Sequence, residues 1–471
     1  MKELNPNKAR LLLLFTRNPI IKVTCEELEY YTSDDELLIG CVSFDKIDKT
    51  FHALLFDRDS RKCYCLVNYN IDLETIEEAR TALGRLMDMY RRSNECLNKK
   101  NPANDFFTLT ANPKQIHPYF NMLLDSNGFF AAAKSVIEEV SYHFQDRDGN
   151  FVEQLQSKNG FDARIWELYL WCYCREEDFN FCYDYAAPDF ILEKNGNTVA
   201  IEAVHINRRQ KLDETTKIFS IEEIQEKLEN EIPLLYGSSL YSKLKHTYEN
   251  QFYWDLDHVK GCPLVYAIAD FHMDMSMTWS FPGIVSILYG IEQSIYQELN
   301  GHICLENESG IIFPKGNISI KPLFLDDQFK HISAVMFSPC GTLPKFNRMG
   351  VQAGYGNKKN TLFQVKICYN DNPNAILPNV VGNIIDESSN ETWADGIQFF
   401  HNPFAEIPLE PNLFPQAGHH FYKDGLLRSA VPHNHIISTM TYNIKNMPSS
   451  PFVFNMHSNN TFDDIIKKWR M

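Results

Sequence analysis

No apolar run in this sequence approaches the roughly 20 residues that a membrane-spanning helix needs. The longest, LLLLF at 11–15 and CPLVYAIADF at 262–271, are core-sized. No basic, apolar leader with a small-residue cleavage site opens the chain, so a cytoplasmic protein without a membrane partner is expected. Cysteine is sparse, 12 in 471 residues, which excludes a disulfide scaffold and reads as reduced thiols. The C-x-C pairs Cys63/Cys65 and Cys172/Cys174 lack zinc-ribbon spacing. Positive charge is in deficit: 45 Lys and Arg against 61 Asp and Glu leave a formal net charge of -16. That excludes coating nucleic acid through a global positive field, but leaves room for a local basic groove. H-E-x-x-H, the G-x-S-x-G elbow, Walker A order and internal repeats are all missing.

What is present is an ordinary globular composition, 44% hydrophobic and 23% charged, on a chain long enough for two or three domains. Residues 1–145 read as an N-terminal α/β domain. LLIGCVSFD, HALLFDRD and CYCLVNYNID alternate as strands, and LETIEEARTALGRLMDMYRRS is an amphipathic helix. The polar segment QDRDGN separates this from residues 146–300, where helices, a hairpin and the buried strand PLVYAIADF follow. Residues 301–471 carry short strands among many Asn, Pro and Gly and are expected to form a β-rich region.

The informative stretch is PDFILEKNGNTVAIEAVHIN at 188–207. Asn195-Gly196 is a strong hairpin signal, because a type I′ turn needs positive φ at both central residues. With that turn Lys194 pairs with Asn197, and counting outward sets Asp189 directly opposite Glu202. Asp189, Ile191, Ala200, Glu202 and Val204 then share one face. Opposed residues have Cβ atoms roughly 4.5–5.5 Å apart, where two carboxylates repel unless a cation intervenes. Mg²⁺ or Mn²⁺ suits such a site, since a hard cation needs only one or two carboxylates plus water and phosphate. A third acid, Glu167, has Ala163, Leu170, Trp171 and Cys174 at helical neighbours. It lies in an apolar stripe, where a charge is seldom found without a partner.

The order Glu167, Pro188-Asp189, Glu202 resembles the PD-(D/E)XK, restriction-endonuclease-like nuclease superfamily over residues 160–300. The segments NPNKARLLLLF, KFNRMG and FFHNPFAEIPL look like parts of a group of long bacterial proteins that carry such a core. The resemblance implies an α/β fold with a central mixed sheet flanked by helices, and a metal-dependent nuclease acting on DNA or RNA. It also implies Asp189 and Glu202 as metal ligands with Glu167 as a third, and a role as an anti-phage defence effector, with a homodimer or a partner defence protein. In that family a lysine usually follows the second acid by two positions; here Val204 stands there. The lysine can move to the following helix, where Lys243 is the first candidate and Lys245 the second, with His205 third. Asp270, ending the strand PLVYAIAD, is a further acid or merely a turn residue.

Two other features compete. Five of the 15 histidines, His401, His419, His420, His433 and His435, lie within residues 401–435 and suggest a His-ligated metalloenzyme, or else hydrogen-bonded core histidines. KFNRMGVQAGYGNKKN offers Lys345, Arg348, Lys358 and Lys359 around three glycines, a flexible basic loop suited to phosphate contacts or a merely solvated one. A catalytically inactive nuclease-fold module that binds nucleic acid or protein is the remaining alternative, and Val204 is its support.

Overall fold

The alternating N-terminal segments form a five-stranded antiparallel sheet in sequence order: β1 (Lys2–Glu3), β2 (Cys25–Thr32), β3 (Ile39–Asp45), β4 (Phe51–Arg58) and β5 (Tyr64–Leu73). The computed structural model describes residues 1–90, 105–147, 149–212, 214, 217, 219–297, 303–315, 318–372, 375–445 and 454–456. Both faces of the sheet are covered, as the period-2 alternation requires. Ile39 and Cys41 face Leu12 and Leu13 of α1 (Pro6–Leu13), which α2 (Pro19–Thr24) follows. Val42, Ala53 and Leu55 face Ala79, Leu83 and Met87 of α3 (Ile76–Met89). Thr75 starts α3 by accepting the Glu78 N–H at 3.2 Å, and Glu77 and Glu78 sit in its first turn, where the helix dipole favours acids.

Four helices lead into the main body: α4 (Pro118–Leu124), α5 (Ala131–His143), α6 (Phe151–Gln156) and α7 (Phe161–Glu176). The strands β6 (Asn180–Cys182), β7 (Phe190–Lys194) and β8 (Asn197–Ile206) come next, then α8 (Ile221–Asn230) and α9 (Ile232–Leu244). A small ribbon, β9 (Thr247–Tyr248) and β10 (Gln251–Phe252), precedes the buried strand β11 (Leu264–Asp270) and α10 (Phe281–Tyr289). Two more ribbons are β12 (Ile291–Gln297) with β13 (Ile303–Ser309), and β14 (Phe313–Lys315) with β15 (Ile318–Ile320). Next come β16 (Ala334–Phe337), α11 (Leu343–Gln352), β17 (Asn360–Cys368) and β18 (Asn379–Ile385). The remaining strands are β19 (Gln398–His401), β20 (Gly418–Lys423), β21 (Leu426–Ala430), β22 (Ile436–Lys445) and β23 (Phe454–Met456).

An eight-stranded mixed sheet in the order β21-β20-β19-β16-β11-β8-β7-β6 organises the body. Its centre, β8-β11-β16, is parallel. Parallel neighbours need long crossovers, and α8, α9 and α10 lie within them. All seven residues of β11 are buried, as expected for a strand covered on both faces. Helix α7 is apolar almost all round and is buried to match, with Trp166 Nε1 donating to the Ala267 carbonyl at 3.0 Å. The mixed α/β architecture with flanking helices is as expected. No helix among the described residues is long and apolar enough to cross a membrane.

The expected domain limits do not follow the packing. Helix α5, before residue 146, shares one core with α7 and α11, and the eight-stranded sheet runs past residue 300 to Ala430. The limit at 300/301 itself lies outside the described residues. Part of the closing region is β-rich as expected, a four-stranded sheet β22-β17-β18-β23.

One expectation is overturned by burial. Most of KFNRMGVQAGYG, expected as a basic loop, is α11, and it packs against α5 so closely that a Cβ at Gly350 would lie 2.5 Å from the Ala132 carbonyl oxygen. Asn347 accepts the Ala133 N–H at 3.1 Å, satisfying a donor in the first turn of α5. Lys345 is 0% and Arg348 1% exposed. Lys345 Nζ pairs with Glu391 at 2.6 Å, and Arg348 binds both oxygens of Glu391 at 2.8 Å. Neither side chain is presented to a nucleic acid; both neutralise a buried carboxylate. Burial alone would raise the Glu391 carboxyl, but the charges of Arg348 and Lys345 overcome it and hold it down at about 2.

Removing one member of such a cluster strands the others. Glu391→Ala should cost about 3–5 kcal/mol of stability, read as the loss in urea-unfolding free energy. Because the folded pKa lies below the ordinary 4.5, the contribution is present above about 4.5 and is lost as pH falls toward about 2. The gap between wild type and Glu391→Gln should narrow over that window.

Candidate active site

The β7/β8 hairpin has the register that its turn dictates. Asn195 and Gly196 take φ of 53° and 77°, Lys194 pairs with Asn197, and Phe190 pairs with Ile201. One step further out, Asp189 and Glu202 face each other and clasp reciprocally. The Asp189 backbone N–H donates to Glu202 Oε2 at 3.1 Å, and the Ala203 N–H donates to Asp189 Oδ2 at 2.8 Å. Pro188 precedes Asp189 through a cis peptide bond. Glu202 is 3% exposed, whereas Asp189 is half-buried at the edge of a cleft. Among the described residues nothing donates to Asp189 Oδ1.

The lysine from the following helix is in place. Lys243, in the last turn of α9, is ion-paired with Glu202 Oε1, and Tyr253 donates its hydroxyl to the same oxygen at 3.4 Å. The Lys243 ammonium also lies 5.5 Å from the centre of the Tyr253 ring. Burial, and then the neighbouring Asp189 charge, push the Glu202 carboxyl up; Lys243 pulls it back only in part. Val204 is buried beside Glu202 on β8, two residues on, and contributes no amine.

Glu167 lies on α7 at the rim of the same cleft, with Arg147, Arg164 and Asp189. Its carboxylate is ion-paired with Arg164. Burial and the Asp189 charge raise its pKa, and Arg164 opposes them. The three acids do not form a preassembled metal cage: among the described residues they do not place three ligand atoms within 4.8 Å of one another. The opposed pair Asp189 and Glu202 is what the fold brings together, and Glu167 stands behind it.

The secondary candidates fall elsewhere. His205 binds the Asn207 side chain at 3.0 Å. Lys245 is exposed, with its ammonium over the Tyr241 ring at 4.5 Å. Asp270 pairs with Ile206 on the strand register, four residues beyond the Glu202 partner Tyr266, and accepts His272 Nδ1 at 2.7 Å. Lys358 and Lys359 are exposed and remain open to a phosphate. The histidines are held by hydrogen bonds. His401 Nε2 meets His419 Nδ1 at 2.9 Å, His420 spans Ser429 and Gln398, and His435 meets the Ile397 carbonyl. Burial pushes His401 and His420 down to about 3. His433 is exposed and paired with Asp371 at 2.8 Å.

Three site residues carried no motif. Arg147 donates to the carbonyls of Tyr185 and Asp189, Arg164 grips Glu167, and Tyr253 reaches Glu202. Of these only Arg164, three residues before Glu167 on one helix, had a readable spacing. Comparison with protein-family models, curated proteins and solved structures returned no match.

A carboxyl with a raised folded pKa binds its proton more tightly in the native state. Its stabilising contribution is full below its ordinary 4.5 and is lost as pH climbs through the raised value. Wild type should therefore lose stability relative to Glu202→Gln between pH 5 and pH 9. Urea midpoints of both proteins across that range check this; a constant difference would rule it out.

Proposed function

We propose that this protein is a metal-dependent phosphodiester hydrolase acting on nucleic acid, DNA first and RNA second, with a PD-(D/E)XK-like core in residues 160–300. The observation that carries the reading is the approach of Lys243 to the opposed pair Asp189 and Glu202. Two facing carboxylates with an amine from α9 supply the ligand and charge-balancing groups that phosphodiester hydrolysis uses.

The donor set fits a hard divalent cation. Both groups are carboxylates, Asp189 keeps an oxygen without a donor, and burial of Glu202 together with the Asp189 charge opposes ionisation of Glu202. Asp189 and Glu202 would hold Mg²⁺ or Mn²⁺, which when bound would polarise a phosphate oxygen and lower the pKa of a bound water. The chain's own groups do the rest. Lys243 carries a positive charge at Nζ to orient the attacking water and balance the developing negative charge. Arg147 and Arg164 line the cleft beside Asp189 with guanidinium groups suited to phosphate. Tyr253 packs against Lys243 and holds Glu202 in register. A role in bacterial defence rests on the family resemblance alone.

A second reading, a catalytically silent binding module, is favoured by Val204 at the usual lysine position and by Glu202 having both oxygens occupied. One assay separates the two. Purified protein with single- and double-stranded DNA and RNA, with and without Mg²⁺ or Mn²⁺, should cleave only with metal. Asp189→Ala and Lys243→Ala should each lower the rate by roughly 10²-fold or more. Cleavage that survives Asp189→Ala would refute the site. Binding without cleavage by wild type under every metal condition would select the second reading.

A further inference from the structure

A different set of ligands converges on the N-terminal sheet, far in sequence from the acids of the hairpin. Cys25 begins β2, Asp45 ends β3 and His52 lies at the start of β4. Cys25 pairs directly with Asp45, and His52 pairs with Ser43, two residues before Asp45. Side chains alternate along a strand, so this register puts all three on one face of three adjacent strands. They sit at the same end of the sheet. The face is the one that α1 covers through Ile39 and Cys41, and the three residues form its rim, each half-buried.

We propose that Cys25, Asp45 and His52 bind one zinc-class divalent cation. Each offers one ligand atom, and these atoms all lie within 4.8 Å of one another; among the described residues no other group of three His, Cys, Asp or Glu does so. Zinc bond lengths to sulfur, nitrogen and oxygen set tetrahedral ligand separations of about 3.3–3.7 Å.

The local hydrogen bonds leave the right atoms available. Asp45 Oδ1 is held by the Ile47 and Asp48 N–H groups at 2.7 and 3.1 Å. This fixes the carboxylate and turns Oδ2 toward Cys25 Sγ, 4.0 Å away. A ligand oriented by hydrogen bonds through its other atom is a recurrent feature of metal sites. The His52 ring has no hydrogen-bond partner among the described residues. The Cys25 thiol has only the weak contacts to Asp45 and to Thr24 Oγ1 at 3.6 Å.

The donor types select the metal. Thiolate, imidazole and carboxylate together suit a borderline cation such as zinc, whereas the all-oxygen pair at Asp189 and Glu202 suits magnesium. Binding releases the Cys25 thiol proton and leaves a fourth position for water. The ion would tie the starts of β2 and β4 to the end of β3.

The test uses the full chain, stripped with a chelator and titrated with Zn²⁺ alone and with Co²⁺ alone. Asp189→Ala serves as the background that breaks the opposed acid pair of the hairpin. One equivalent of zinc should bind both wild type and Asp189→Ala, and the affinity should fall at least tenfold in Cys25→Ser and in His52→Ala. Cobalt in wild type should show a thiolate charge-transfer band that Cys25→Ser lacks. Absence of stoichiometric zinc in wild type, affinity unchanged by both substitutions, or a cobalt spectrum without the thiolate band would each overturn the proposal. Should the variants fold poorly, the cobalt spectrum of wild type decides alone.

Discussion

The pairing of β7 with β8 is the constraint on which the rest of the site depends. Because side chains alternate with period two, a slip of one residue would send Glu202 to the other face of the sheet, beyond the reach of Lys243. The left-handed Asn195-Gly196 turn prevents that slip by fixing which residues can oppose each other. The reciprocal bonds between Asp189 and the Glu202–Ala203 segment then lock the open end of the hairpin. Two carboxylates are held together against their repulsion by backbone geometry, and one amine from α9 offsets part of the cost.

Buried charge is handled in two contrasting ways in this chain. Around Glu391 two cations outweigh burial and the carboxylate stays ionised far into acid; the cluster joins α11 to the segment that follows β18. At Glu202 one cation faces burial and a second acid together, and the balance tips toward the proton. The first arrangement is electrostatically complete and leaves nothing for a ligand to supply. The second retains a deficit of positive charge, which a divalent cation would remove. The buried Lys345 and Arg348 differ in the same way from Arg147 and Arg164, which line the cleft beside Asp189.

The two candidate metal positions differ in the chemistry they admit. Hard oxygen donors at the hairpin and a mixed sulfur, nitrogen and oxygen set on the N-terminal sheet would sort two kinds of cation within one chain. Of the histidines near the C-terminus, the most conspicuous cluster by count, His401, His419 and His420 are spent on hydrogen bonds inside the eight-stranded sheet, His435 on the Ile397 carbonyl and His433 on Asp371.

Local chemistry determined the hairpin, its register, the opposition of Asp189 and Glu202 and the helix that carries Lys243, because turn dihedrals and side-chain alternation act within a few residues. The absence of an amine at Val204 was also plain from the sequence, as was the mixed α/β class. Whether Lys243 reached the acids was decided by the packing of α9 against β8, a contact between residues some forty positions apart. Tertiary structure alone placed Arg147 beside Asp189 and buried Lys345 and Arg348 around Glu391. It also carried the central sheet past residue 300 and brought Cys25, Asp45 and His52 together from three strands. In each case the cause is the same: which long-range partner a charge or a strand finds depends on how the layers pack, and no local spacing records it.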